Sequence, residues 1–195
     1  MRQLLILFSL FCACTMQAQQ RKHTTFYDQR ATLFEMLPTS SKDIVFLGNS
    51  ITNGCEWAEL LGNPNAKNRG ISGDTTYGVL DRLDVITKGK PAKIFLLIGI
   101  NDLSGGADVE TIAQNVEKIV KRVKAESPKT KLYLQSVLPL TTVYNMFYDH
   151  MKRKDDVPVL NGKLKAVAAR NKVTFIDLYS AFIDPATNAM NTAYT

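Results

Sequence analysis

The sequence predicts a single α/β domain with a five-stranded parallel sheet, strand order 2-1-3-4-5, and helices on both faces. Short apolar runs such as 44–48 and 93–99 alternate along the chain with longer segments whose apolar residues recur at helical spacing. This alternation is typical of a parallel sheet joined by right-handed crossovers. The runs are apolar throughout, as in strands covered on both faces. The resulting three-layer arrangement is flavodoxin-like, and the first strand is central with its carboxyl end at the topological switch point.

Each expected element has a start or stop signal. Prolines at positions 38 and 128 end the first and fourth helices, and glycines at 62 and 89 end the second and third. The fourth helix is the most regular, with an apolar residue every three or four positions. After residue 179 the chain should form a helical turn and a loop. The helices are expected near 29–36, over 56–61, from about residue 74 to 89, over 108–125 and over 158–170; the strands are expected over 44–48, 66–69, 93–99, 132–138 and 173–178.

The first residues differ from the rest of the chain. Arg2 is followed by an apolar stretch over 4–14, and Ala18 offers a small residue for cleavage. This pattern predicts a secretory signal peptide over 1–18, too short to span a bilayer. The protein is then exported, to the periplasm or the extracellular space. A lipoprotein anchor at Cys14 fits less well, because the residues before it do not suit one.

The composition of the remaining domain, 19–195, excludes several classes of protein. The chain has 195 residues, is 45% hydrophobic and has a formal net charge of +6. Its basic residues gather on the polar side of the helix over 108–125, and no recognition motif accompanies them, so nucleic-acid binding is not expected. Cys55 is the one cysteine outside the leader, which rules out a disulfide framework. With only His23 and His150 besides, no metal or other cofactor is expected.

The strand over 44–48 ends in Gly48-Asn49-Ser50, the feature on which the chemistry depends. A serine at the carboxyl end of a buried parallel strand, before a helix, has an exposed hydroxyl and backbone N–H groups beside it. That placement suits a nucleophile. It equally suits a helix cap, a common use of serine.

Three blocks together resemble the SGNH (GDSL-type) esterase and lipase family. They are Gly48-Asn49-Ser50-Ile51-Thr52, Asn68-Arg69-Gly70 and Gly99-Ile100-Asn101-Asp102, and each follows a strand. The resemblance extends over 44–195. It implies that Ser50 is the nucleophile, and that the oxyanion hole consists of the N–H groups of Ser50 and Gly70 and the side-chain amide of Asn101.

The sequence departs from the family pattern in two places. Asn49 replaces the usual aspartate after Gly48, and it keeps a side-chain acceptor for the turn. The late Asp-x-x-His block, which supplies the family's general base, is missing. His150 is interpreted as a surface residue of the loop after the fourth strand, with a substitute base as the alternative. We therefore expect a C-terminally incomplete copy that lacks its base and is nearly inactive.

The resulting expectation is an exported serine esterase that hydrolyses small acyl esters, O-acetyl groups on carbohydrates above all, through an acyl-enzyme. The alternative is a non-catalytic glycan-binding protein on the same scaffold. The sequence leaves the oligomeric state open and predicts no stable membrane anchor. Weaker candidates for contacts to the substrate are Asn49, Trp57, Asp102 and Tyr144.

Overall fold

The computed structural model describes residues 23–141, 143–144 and 146–194. The predicted signal peptide lies outside these residues. In the described part of the chain, no helix combines the length and the apolar character that crossing a bilayer requires.

A parallel sheet of five strands organises the fold. The strands are β1 (Ile44–Gly48), β2 (Ala66–Gly70), β3 (Lys93–Leu97), β4 (Lys131–Gln135) and β5 (Thr174–Ile176). Their order is β2-β1-β3-β4-β5, which confirms the predicted topology. Ile44 lies opposite Ala66 on one side and Lys93 on the other, so β1 lies between β2 and β3. Its carboxyl end is at the position where the strand order reverses.

The helices alternate with the strands, and several are short turns at strand ends. They are α1 (Thr25–Met36), α2 (Ser50–Asn53), α3 (Trp57–Leu60), α4 (Thr76–Asp81), α5 (Leu83–Thr87), α6 (Ile100–Ser104), α7 (Val109–Glu126), α8 (Tyr148–Met151), α9 (Asp156–Asn171) and α10 (Leu178–Phe182). The helix expected to end at residue 89 is in fact two, α4 and α5, separated at Arg82. After α10 the chain forms a hairpin of β6 (Ile183–Asp184) and β7 (Ala189–Met190) and a 3-10 turn over Thr192–Tyr194.

The main hydrophobic core lies between one face of the sheet and the long helices. Leu47, Ile94, Leu96 and Leu134 project from alternate strand positions and are fully buried. They pack with the apolar sides of α4, α5, α7 and α9. The helical spacing of α7 is confirmed, since its periodic apolar residues are buried: Ile112, Ala113, Val116, Ile119, Val120 and Val123.

The second face of the sheet carries a row of stacked aromatic rings. Phe46, Phe95 and Tyr133 lie on neighbouring strands, with ring centroids 5.1 and 4.6 Å apart. Trp57 of α3 stacks on Phe46 at 3.9 Å and covers that end of the row. The rings are half-buried, whereas the side chains on the opposite face are fully buried. The two faces of the sheet are therefore packed unequally.

Candidate active site

The chain leaves β1 through a tight turn that exposes Ser50. Gly48 closes the strand where a Cβ would lie 2.3 Å from the carbonyl oxygen of Leu97, so no side chain fits there. Asn49 is fully buried, and its Oδ1 accepts a hydrogen bond from the N–H of Ile51, which caps α2. Ser50 is the exposed first residue of α2. Its N–H is thus one of the donors that a helix leaves without an internal acceptor.

Gly70 does not have the role that the sequence predicted for it. Its N–H donates to Oδ1 of Asn68 at 2.8 Å and is not available to an oxyanion. An added Cβ at Gly70 would lie 2.3 Å from the nitrogen of Asn53 and 2.8 Å from the carbonyl oxygen of Asn49. The glycine is required because β2 packs directly against the Ser50 turn. The prediction of Gly70 as an oxyanion donor is therefore wrong.

Gly73, three residues further on, lies in the cleft wall beside Ser50. Its φ of +81° belongs to the left-handed region, which favours glycine. Its N–H has no acceptor within the described residues. The sequence held a signal for it, because Gly73 lies two residues before Thr75, which caps α4. A glycine just before a helix start can present its N–H to a ligand.

Asn101 occupies the first turn of α6, and its amide has a fixed orientation. Its Nδ2 donates to the carbonyl oxygen of Asp74 at 2.8 Å. A carbonyl oxygen only accepts, so Oδ1 of Asn101 must face the other way, towards Nε2 of His150 at 3.0 Å. The second amide hydrogen of Asn101 has no acceptor among the described residues, and it is free to donate to a ligand.

His150 belongs to the cleft rather than to the outer surface expected from the sequence. Since Oδ1 of Asn101 only accepts, Nε2 of His150 carries the hydrogen and Nδ1 is the basic nitrogen. Burial lowers the pKa of His150 below its ordinary value, and the carboxylate of Asp149 opposes this effect. The ring is accordingly neutral at pH 7. The contact between Asn101 and His150 spans 49 residues of the chain, a distance over which local sequence patterns carry no information.

One cleft of about 640 Å³ contains Ser50, Gly73, Asn101 and His150. It opens at the carboxyl ends of the strands, and its volume is typical of small-molecule sites. Among the described residues that line it, His150 is the one whose side chain titrates near neutral pH. Its remaining walls are largely apolar, formed by Ile51, Ile100, Val137, Leu138, Pro139, Leu140, Phe147 and Met190.

The four weaker candidates for substrate contacts do not line this cleft. Asn49 is buried as the cap of α2. Trp57 lies on the second face of the sheet, where it stacks on Phe46. Tyr144 is 52% exposed in the loop after β4. These residues are bulky or polar and sit near strand ends, a pattern that does not distinguish structural from ligand contacts.

Asp102, the fourth of them, anchors a helix. Its side chain is buried, and both carboxylate oxygens accept from the N–H of Thr76 at 3.0 Å. The hydroxyl of Thr76 donates to Oδ1 of Asp102 at 2.5 Å. Burial raises the pKa of Asp102, and the hydrogen bonds from Thr76 oppose that rise. The carboxylate therefore holds the N-terminus of α4, which is where a helix favours negative charge.

The chain is similar to known acylhydrolases. Residues 46–193 match the model of the GDSL-like lipase/acylhydrolase family. Human platelet-activating factor acetylhydrolase IB subunit alpha2 is 33% identical over 103 residues, which cover 50% of this chain and 44% of that protein. The chain thus matches less than half the length of this curated relative.

Solved structures are similar to this chain over most of the domain. A GDSL-like lipase from Bacteroides thetaiotaomicron is 28% identical with a TM-score of 0.73, covering 87% of this chain and 85% of that one. An acetyl-xylooligosaccharide esterase from Geobacillus has a TM-score of 0.60 at 19% identity, covering 80% of this chain and 84% of that chain. At 19% identity, the similarity to this esterase shows a common fold alone.

Proposed function

Because the chain belongs to the GDSL-like lipase/acylhydrolase family, we propose that it hydrolyses carboxylic esters through an acyl-enzyme on Ser50. One observation carries the proposal. A single cleft is lined by the exposed Ser50, by backbone and side-chain hydrogen-bond donors, and by the neutral ring of His150. Acyl transfer needs these parts: a nucleophile, a proton acceptor and donors directed at the developing oxyanion.

In the proposed reaction, Oγ of Ser50 attacks the carbonyl carbon of the ester and gives its proton to His150, whose basic nitrogen is Nδ1. The N–H groups of Ser50 and Gly73 and the amide of Asn101 donate to the oxyanion. The proton then passes to the departing alcohol, and water hydrolyses the acyl-enzyme by the same steps in reverse order. In comparable hydrolases one such donor lowers the barrier by about 3–4 kcal/mol.

The proposed substrate is a small acyl ester, an O-acetyl group carried by a carbohydrate. The name of the curated relative, an acetylhydrolase, supports an acetyl-sized acyl group. The leader pattern supports export, and exported proteins meet acylated glycans outside the cell. Sequencing the N-terminus of the mature protein tests the export step, since cleavage after Ala18 leaves Gln19 first.

A longer acyl chain is the second candidate, because the walls of the cleft are largely apolar. Residues such as Leu138, Leu140 and Met190 give an acyl chain a surface to pack against. A series of p-nitrophenyl esters from acetate to octanoate separates the two candidates. A kcat/KM that is highest for acetate supports the acetyl ester, and one that rises with chain length supports the longer chain.

The nucleophile is tested with p-nitrophenyl acetate and a fluorophosphonate probe that labels activated serines. Ser50→Ala should abolish both turnover and labelling while the far-UV circular dichroism spectrum stays unchanged. Ser72→Ala is the matched control, because Ser72 lines the same cleft but donates its hydroxyl to Asn53. Retention of label by Ser50→Ala, or its loss in Ser72→Ala alone, contradicts the proposal. A wild-type protein that binds glycans with neither label nor turnover would instead be the non-catalytic binder.

A further inference from the structure

Arg82 is a buried arginine that contacts the catalytic elements from beneath. Its side chain is 3% exposed, and it lies at the break between α4 and α5. Its Nε and Nη2 donate to Oδ2 of Asp74 at 3.0 and 2.8 Å. Its Nη2 also approaches the carbonyl oxygen of Gly48 at 3.3 Å. The guanidinium therefore joins the end of β1, just before Ser50, to the residue that follows Gly73.

Asp74 carries this connection to the third element. Its carbonyl oxygen accepts the amide of Asn101, and Oδ1 of its side chain accepts the N–H of Thr75 at 2.9 Å. Gly78 makes room for the carboxylate, since a Cβ there would lie 2.0 Å from Oδ1 of Asp74. All three sources of oxyanion donors, the Ser50 turn, the Gly73 loop and Asn101, are thus attached to one ion pair.

We propose that Arg82 and Asp74 form a positioning pair that sets the distances between the oxyanion donors. This inference rests on the proposed esterase function. Neither side chain lines the cleft, so neither touches the substrate. A buried ion pair is weak support for stability, because the cost of desolvating two charges offsets their attraction. The planar fork of Arg82, in contrast, fixes Oδ2 of Asp74 and the carbonyl oxygen of Gly48 through directed hydrogen bonds.

The break between α4 and α5 supports this role. The apolar spacing of the segment favours one continuous helix, yet the chain departs from helical geometry at Arg82, where φ is −114° and ψ is 13°. At this break the guanidinium of Arg82 is buried and donates to Asp74 and to the carbonyl oxygen of Gly48. A helix gains nothing locally from such a break.

Arg69 provides a matched control. It is buried to a similar degree, with 6% exposure, and its guanidinium lies 5.0 Å from the ring of Phe34, to which Arg82 lies at 5.8 Å. Its Nη1 donates to the carbonyl oxygen of Asn68 rather than to Asp74. Arg69→Lys and Arg82→Lys therefore make the same chemical change at two buried sites beside the ring of Phe34, and one of them disturbs the positioning pair.

The test measures kcat and KM of each variant for p-nitrophenyl acetate, at a temperature at which both are folded. Lysine cannot form the fork, so Arg82→Lys should lower kcat at least tenfold with KM within twofold, and Arg69→Lys should keep kcat within twofold. In an Asn101→Ala background, the loss caused by Arg82→Lys should be smaller than in the wild type, because Asn101 is one of the donors that the pair positions. An equal loss of kcat in both lysine variants, or an undiminished loss in the Asn101→Ala background, overturns the proposal.

A second readout does not depend on turnover. The side-chain amide resonances of Asn101 should shift in Arg82→Lys and stay in place in Arg69→Lys, and resonances unmoved by Arg82→Lys overturn the proposal. Should Arg82→Lys fail to fold, Asp74→Asn replaces it with the same expectations, since it removes the charge and keeps the backbone carbonyl. A wild-type protein without turnover contradicts the esterase function, whereas the resonances still decide whether the pair positions Asn101.

Discussion

Gly70 and Gly73 show at the scale of single residues how a close backbone approach differs from a strained backbone. Gly70 has no room for a Cβ, because backbone atoms of Asn53 and Asn49 lie within 2.8 Å of that position. Gly73 has nothing within 4 Å of such a Cβ, but its φ is +81°. The first glycine is needed for packing, and the second for the direction of its N–H.

Alanine at these two positions should therefore have different effects. Gly70→Ala should lower the free energy of unfolding by about 3 kcal/mol, since overpacking against backbone has no easy relief. Gly73→Ala should lower it by about 1 kcal/mol, the cost of a left-handed conformation for alanine, and should lower kcat about tenfold or more by redirecting a donor. Urea unfolding and p-nitrophenyl acetate turnover measure both. A folded Gly70→Ala protein with full stability, or an unchanged kcat in Gly73→Ala, contradicts this assignment.

His150 predicts the pH dependence of the reaction. Burial lowers its pKa, and the basic form is the neutral ring, so activity is complete above the ordinary histidine value of about 6.5. The rate should fall only as the pH drops through the lowered pKa. The acid limb of the kcat/KM profile should accordingly have its midpoint below pH 6.5. The variant His150→Gln should lack this limb, and its rate should be at least 100-fold lower than that of the wild type. His23→Gln is the control, because His23 bonds Asp81 and does not line the cleft.

At the residue level, the sequence indicates position most directly where a strand end is close by. Ser50 comes two residues after the end of β1 and Asn101 four residues after the end of β3, and both lie in the cleft wall. Gly70 is the last residue of β2, but its N–H donates to the side chain of Asn68 two residues earlier, a contact with no signature in the sequence. His150 was misplaced for a related reason, since its place in the cleft depends on the path of a long loop.

At the scale of elements, the long helices followed from periodicity and the short ones did not. The helix α7 begins and ends within one residue of its expected bounds, because a cap, a continuous apolar stripe and a proline all agree. The break at Arg82 was missed, since the apolar spacing continues through it. Arg82 pairs there with Asp74, eight residues earlier, and donates to the carbonyl oxygen of Gly48, contacts that the apolar spacing does not reveal.

The contact between α7 and α9 makes a prediction at this scale. Glu117 of α7 accepts hydrogen bonds from Nε and Nη2 of Arg170 and from the amide of Asn171, at 2.7–3.2 Å. The hydrogen bonds from Arg170 above all hold the pKa of Glu117 at about 2, against an ordinary value of 4.5. A lowered pKa adds stability that is complete above pH 4.5 and is lost as the pH falls towards 2.

Glu117→Gln should therefore lower the thermal midpoint at pH 7, and its difference from the wild type should vanish as the pH approaches 2. Thermal melts between pH 2 and 7 measure this difference. Glu59→Gln is the control, an exposed glutamate of α3 that makes no ion pair within the described residues. A difference that stays constant over the whole pH range contradicts the assignment.

At the scale of the whole molecule, the two faces of the sheet differ in how they are covered. The topology and the central position of β1 were predicted correctly, because alternating strands and helices leave few possible arrangements. The continuous apolar runs also indicated that both faces are apolar. They could not show that the long helices pack on one face of the sheet, because the residues of a strand do not identify the element that packs against them.

Two neighbouring residues of β3 test whether the two faces of the sheet are packed unequally. Ile94 points into the main core and is fully buried, whereas Phe95 points to the other face and is half-buried in the aromatic row. Ile94→Ala should lower the free energy of unfolding by about 3–4 kcal/mol, as expected for a packed core. Phe95→Ala removes the larger side chain, and from a fully buried site it would cost about 3–5 kcal/mol. Here it should cost less than Ile94→Ala, because water already reaches part of the ring and little cavity is created. Urea unfolding of both variants at one protein concentration decides the point. A larger loss for Phe95→Ala would mean that the second face is packed as tightly as the first in solution.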